Sequence, residues 1–140
     1  MKSLFKGIFR NFSSSSGATK KAIYTDLGGR LYLAAAPPGT TFPYGTYHLI
    51  SNSHEWQMRD DYENADIQFN LYVASEKATT IMNYYDDLNT AFDGKPLTCT
   101  GYDTVHCNRT LSHLSRFDDV IPGKAVWQYA VEYEVYLHKQ

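Results

Sequence analysis

Along residues 66 to 74, Ile67, Phe69, Leu71 and Val73 alternate with Asp66, Gln68, Asn70 and Tyr72. A period of two puts the first set on one face of a strand and the second on the other, which predicts a strand half-buried in a sheet. The C-terminal stretch AVWQYAVEYEVYLHK carries the same pattern further, with Trp127, Tyr129, Val131, Tyr133, Val135 and Leu137 against Gln128, Glu132, Glu134 and His138. A strand of roughly 12 residues spans about 40 Å, so this one is expected to reach past a compact core. Elsewhere the apolar spacing is helical. Leu4, Phe5, Ile8, Phe9 and Phe12 share one face of a predicted amphipathic helix over residues 2–12, with Lys2, Lys6 and Arg10 on another. Ala78, Ile81, Met82, Tyr85, Leu88 and Phe92 predict a second helix, N-capped by Ser75 and stopped by Gly94 and Pro96.

The intervening segments are less regular. Ser13 to Ser16 with Gly17 reads as a flexible break, Thr19 to Leu27 as a short helical piece ended by Gly28-Gly29, and RLYLAAA as a short extended one. Pro37, Pro38 and Pro43 fix φ and remove three donors, so residues 36–43 form a stiff surface connection that launches a strand over Tyr44 to Met58. In that strand Tyr47 and Leu49 oppose His48 and Ile50, and it dissolves into the polar stretch RDDYENAD, leaving a long loop over 51–65. Residues 97–117 predict two strands around the turn-prone GYD, with Leu97, Cys99, Val105 and Leu111 inward, and FDDVIPGK predicts a loop. The sum is one α+β domain over residues 1–140, a mainly antiparallel sheet with two helices packed on one face.

Aromatic residues make up 15% of the chain, 12 of them tyrosines, which suits half-buried sheets and protein interfaces alike. The net charge of −2 conceals an asymmetry: residues 1–30 hold six basic side chains against Asp26 alone, and residues 31–140 hold seven basic against fourteen acidic. Opposite charge on two parts of one domain suits copies meeting head to tail, and a basic arm on nucleic acid as well. No stretch approaches the roughly 20 apolar residues of a membrane helix. Lys6 and Arg10 interrupt what would be the apolar region of a signal peptide, so Cys99 and Cys107 are expected to be reduced thiols of a cytosolic protein.

Candidate chemistry is scattered. Asp60-Asp61, Asp86-Asp87 and Asp118-Asp119 are neighbours along the chain, whose side chains diverge, and they read as solvated charge. Cys99, His106, Cys107 and His113 lack the spacing of a zinc knuckle, and no nucleophile elbow, HExxH or phosphate-binding glycine motif is present, so neither metal nor cofactor is expected. The basic N-terminal residues alone make a weak nucleic-acid footprint.

Order and spacing of several short motifs carry more information than any one of them. Gly29-Arg30-Leu31-Tyr32, then Ala36-Pro37-Pro38-Gly39-Thr40-Thr41-Phe42-Pro43-Tyr44, then the strand IQFNLYVA, a helix with the LxxxFD pattern at Leu88 to Asp93, and a closing WQYAVEYEVY fall within a stretch from Tyr24 to Tyr136. This arrangement resembles the tail terminator, or tail completion, family of long-tailed, siphovirus-like bacteriophages. The resemblance implies a lambda-type terminator fold and a non-catalytic virion protein, assembled in the host cytoplasm, whose copies close into a hexameric ring. Such a ring caps the tail tube, ends its polymerisation and offers a joining surface to the head. It further implies the major tail tube protein, a head-tail connector or stopper protein and the tape-measure protein as partners, with DNA passing through unrecognised. Lys20, Lys21, Arg30, Phe42, Tyr44, Trp56, Arg59 and Tyr62 are the candidate residues for subunit or tube contact. A head-closure or connector-adaptor protein of the neck is the neighbouring reading; a monomeric ligand-binding module and, after it, an enzyme are the readings from other classes.

Overall fold

Two long hairpins supply most of the sheet. The computed structural model describes residues 1–16 and 19–140, and its elements run α1 (Lys2–Ser13), β1 (Ser15–Ser16), β2 (Thr19–Lys20), α2 (Ala22–Asp26), β3 (Leu31–Leu33), β4 (Tyr44–Gln57), β5 (Asp60–Ser75), α3 (Thr79–Phe92), β6 (Tyr102–Ile121) and β7 (Lys124–Lys139). The five-stranded sheet has the order β3-β4-β5-β7-β6, and β1 pairs only with β2. Every pair in the large sheet is antiparallel except β3 with β4, which run parallel and are joined by the proline-rich crossover of residues 34–43. The fold is therefore α+β, with a mostly antiparallel mixed sheet and helices against it.

The core lies between one sheet face and the helices. Ala65, Ile67, Phe69 and Leu71 of β5 and Val131, Tyr133, Val135 and Leu137 of β7 point inward, cross-strand neighbours in register from Ala65 opposite Val135 to Phe69 opposite Val131. Leu4, Ile8 and Phe12 of α1, Ile23 of α2 with Leu27 at its C-cap, and Leu88, Ala91 and Phe92 of α3 close over them, so three helices rather than two share this face. Phe69 sits at the centre, its ring 4.8 Å from Phe92, 6.0 Å from Tyr47 and edge-on to Tyr133 at 5.7 Å. The Tyr133 hydroxyl donates to Asn89 Oδ1, giving the one polar atom of that ring a partner. Helix α1 approaches the segment before β6 closely: a Cβ on Gly7 would stand 2.8 Å from the Thr98 carbonyl oxygen and 2.7 Å from Cys99 Sγ.

Among the described residues the opposite sheet face carries no helix and is mostly polar. Two of its polar side chains are nevertheless buried, Thr46 and Asn70, and they are hydrogen-bonded: Asn70 Nδ2 donates to Thr46 Oγ1, while Gln68 and Gln128 both donate to Asn70 Oδ1.

Several sequence expectations are corrected. Residues 51–65 are not a loop; they complete a hairpin whose strands pair as far as Gln57 opposite Asp60. FDDVIPGK is likewise strand to Ile121, a Pro122-Gly123 turn, and strand again from Lys124. Residues 97–117 hold the greater part of one strand, the 20-residue β6, preceded by an isolated bridge, Cys99 to Tyr102. Leu97 and Cys99 are buried as expected, but Val105 and Leu111 are 55% and 59% exposed. Register shifts between Thr104 and His106 and between Arg109 and Leu111 explain this: Val105 is the extra residue of the first, and the second moves Leu111 to the outer face opposite Glu132. Cys107, opposite Val135, takes the inward place. On β4 a shift between Leu49 and Ser51 leaves Ile50 exposed. Helix α3 begins at Thr79 with Ala78 at its cap position, because the Ser75 hydroxyl accepts the Lys77 amide within the preceding turn. The break after α1 contains the short β1, and Gly17 lies outside the described residues.

Candidate assembly surfaces

The two hairpins turn at opposite ends of the sheet. The β4–β5 apex, residues 58–59, lies at the end where β7 finishes, since Tyr62 faces His138; the β6–β7 apex lies at the other end, where Ser75 faces Ala125. Beyond the helical layer both faces of β4 meet water, and residues 50–60 are exposed throughout. At this apex Trp56 is 68% exposed and Met58 fully so, and Met58 holds φ at 58°, the left-handed region that bulky residues avoid. Glu55, Asp60, Asp61 and Glu63 surround them, with Arg59 at the apex and Lys139 at the base of opposite sign. The arm is braced at its base: Tyr62 stacks on Tyr136 at 5.3 Å and on His138 at 4.8 Å, Asp61 pairs with His54 and Lys139, and Glu55 accepts from the Tyr136 hydroxyl.

The expected interface residues divide into three groups. Trp56, Arg59 and Tyr62 belong to this one arm. Phe42 and Tyr44 end the crossover, where their rings lie 5.4 Å apart and Tyr44 stacks on Tyr72 at 4.9 Å, while the Arg30 Nε donates to the Pro43 carbonyl across a cis Phe42–Pro43 peptide. Lys20 and Lys21 engage their own chain. The Lys20 ammonium donates to the Ser13 carbonyl and lies over the Tyr24 ring, and Lys21 donates to the Asn11 carbonyl and side chain, fastening the end of α1 to α2.

A fourth surface lies beside α1, whose basic residues the sequence offers to an acidic face of another copy; the groove itself was not singled out by sequence. Phe5 and Phe9 of α1, Leu33 of β3 and Tyr47 of β4 line an open groove of about 730 Å³, rimmed by Lys2, Lys6 and Arg10. Phe9 is 41% and Leu33 50% exposed. The signal lay in α1 itself: five apolar residues are more than a short helix can bury, so its outer two, Phe5 and Phe9, face sideways along the sheet edge.

The titratable groups are mostly structural. Burial pushes the Cys107 thiol up to about 12, and the hydrogen bond from His106 holds the Glu134 carboxyl below its usual range. Among the described residues, no three metal-ligating side chains converge. Two carboxylates, Asp26 and Glu63, each have an oxygen closed off without a donor. At Asp26, burial and then the Asp87 carboxyl beside it raise the pKa to about 7. Tyr84 senses the Asp26 charge, along with those of Arg30 and Asp87. A carboxyl raised in the folded state contributes stability fully present below about pH 4 and lost as pH rises through about 7. Asp26→Asn is therefore expected to flatten the fall in melting temperature between pH 5 and pH 8, and to stabilise the protein at pH 8 by about 1 kcal/mol once solvent screening is allowed for; an unchanged pH profile would refute it.

No known sequence family matches the chain, and no curated protein matches it. Among solved structures the fold is similar to that of a chain in the virion of a native gene transfer agent (GTA) particle, with a TM-score of 0.71, 10% sequence identity, and 94% of this chain and 91% of that chain covered. The two chains share a fold. Coverage near the full length of both means that the long hairpins, the crossover and the helical layer fall within one common architecture.

Proposed function

We propose that the chain is a virion structural protein of the tail terminator type: a non-catalytic subunit whose copies close into a ring on the tail tube, end its growth and present a surface to the head. The observation that carries this reading is the shared fold with a gene transfer agent virion chain over nearly all of both sequences. The motif resemblance from Tyr24 to Tyr136 supports the tail position, and the distribution of charge and exposed apolar residues suits a heterologous contact that closes. A ring needs two unlike faces on each subunit, and the acidic arm and the basic groove are two such faces.

The test is assembly followed by capping. Purified protein is expected to give a closed oligomer, six copies by native mass measurement, seen as an annulus in negative stain, and to halt elongation when added to polymerising tube protein. Copurification with the portal end of the head rather than with tubes would instead assign it to the neck. A monomer that leaves tube growth untouched would refute the proposal.

A further inference from the structure

The β4–β5 arm and the α1 groove are opposite in charge, and each exposes large apolar side chains. The arm ends in Trp56 and Met58, large apolar side chains that contact nothing able to bury them, amid residues 55–63 with a net charge of −3. The groove has an apolar floor containing Phe9 and Leu33, and a rim of three cations. Met58 adds a second argument. Its φ of 58° suits glycine, and a fully exposed methionine held there gives its own chain neither packing nor backbone ease. Two opposed charge patches steer the approach, and a buried tryptophan in an apolar slot supplies the anchor.

We infer that the arm of one copy docks in the α1 groove of the next, with Trp56 and Met58 on the Phe9–Leu33 floor and the acidic arm residues against Lys2, Lys6 and Arg10. The inference rests on the ring reading above and names the contact that builds it. Arm and groove are different surfaces of the same subunit, so the contact is heterologous and each copy donates one arm and receives another.

The experiment uses two full-length variants. An arm variant, Trp56→Ala with Met58→Gly, changes only exposed side chains and eases the turn; a groove variant, Lys6→Glu with Phe9→Glu, keeps good helix formers on the exposed side of α1. Circular dichroism establishes that both are folded. Each alone is expected to assemble about thirtyfold more weakly than wild type, the scale of losing one buried anchor. Mixed in equal amounts, they are expected to form a dimer and nothing larger, because only one intact arm and one intact groove remain between them. Wild-type assembly by both variants overturns the docking while leaving the ring reading intact, as does loss of assembly without a dimer in the mixture. An arm variant that forms rings but no longer binds the tube end overturns it in favour of a tube contact. A wild-type protein that stays monomeric overturns both readings.

Discussion

Phe69→Ala is expected to lower the unfolding free energy by about 3–5 kcal/mol, read as a shift of the urea midpoint with little change in slope. Phe69 is buried in the middle of the central strand, and its ring joins the sheet to the helical layer at Phe92 on α3 while meeting Tyr47 on neighbouring β4 and, edge-on, Tyr133 on β7. Truncation removes the transfer free energy of the ring and leaves a void that these three cannot fill together. Tyr133 is held by its hydrogen bond to Asn89, and Phe92 by the end of its helix. The exposed Phe117 on β6 is the control: Phe117→Ala is expected to change stability by less than about 0.5 kcal/mol. Similar losses from the two substitutions would show that Phe69 is not the hub described.

Gly7→Ala is expected to be the second-largest change, destabilising by about 1–3 kcal/mol although alanine is the better helix former by about 1 kcal/mol. The added methyl meets the Thr98 carbonyl oxygen at 2.8 Å, a backbone atom that cannot rotate aside, as well as Cys99 Sγ. Relief requires α1 to lift from the segment leading into β6, which would uncover Leu4 and Ile8. Thermal melts of Gly7→Ala beside Lys6→Ala, one position along on the exposed face, separate steric exclusion from helix propensity; a stabilised Gly7→Ala would contradict the close approach.

Legibility of the fold tracks how each strand is covered. β5 and β7 have a strand on either side, helices on one face and a polar layer on the other, so Ile67 to Val73 and Val131 to Leu137 had to alternate. β4 beyond Leu49 and β5 before Ala65 leave the helical layer. There both faces are wet, alternation has no energetic reason, and RDDYENAD looks like a loop while being a strand. β6 failed for another reason: each bulge shifts the parity of every residue after it, which a pattern read at constant period cannot follow. The candidate contacts divide along the same line. Trp56 was conspicuous as a tryptophan in a polar stretch, whereas the groove required knowing that β3 lies beside α1. Lys20 and Lys21 also hold the α1–α2 corner together, a part that their charge alone does not announce.

The irregular course of β6 also bears on solubility. This strand closes one side of the sheet, and a smooth 20-residue border of unpaired amides and carbonyls would invite a neighbouring molecule to add its own strand, then another, as fibrils grow. Three register breaks cut that border so that its longest regular run is Leu111 to Phe117, and Arg109, His113 and Arg116 place basic side chains along it. Open-ended stacking through backbone pairing is thereby disfavoured, and association is left to side-chain surfaces, which saturate once each is filled.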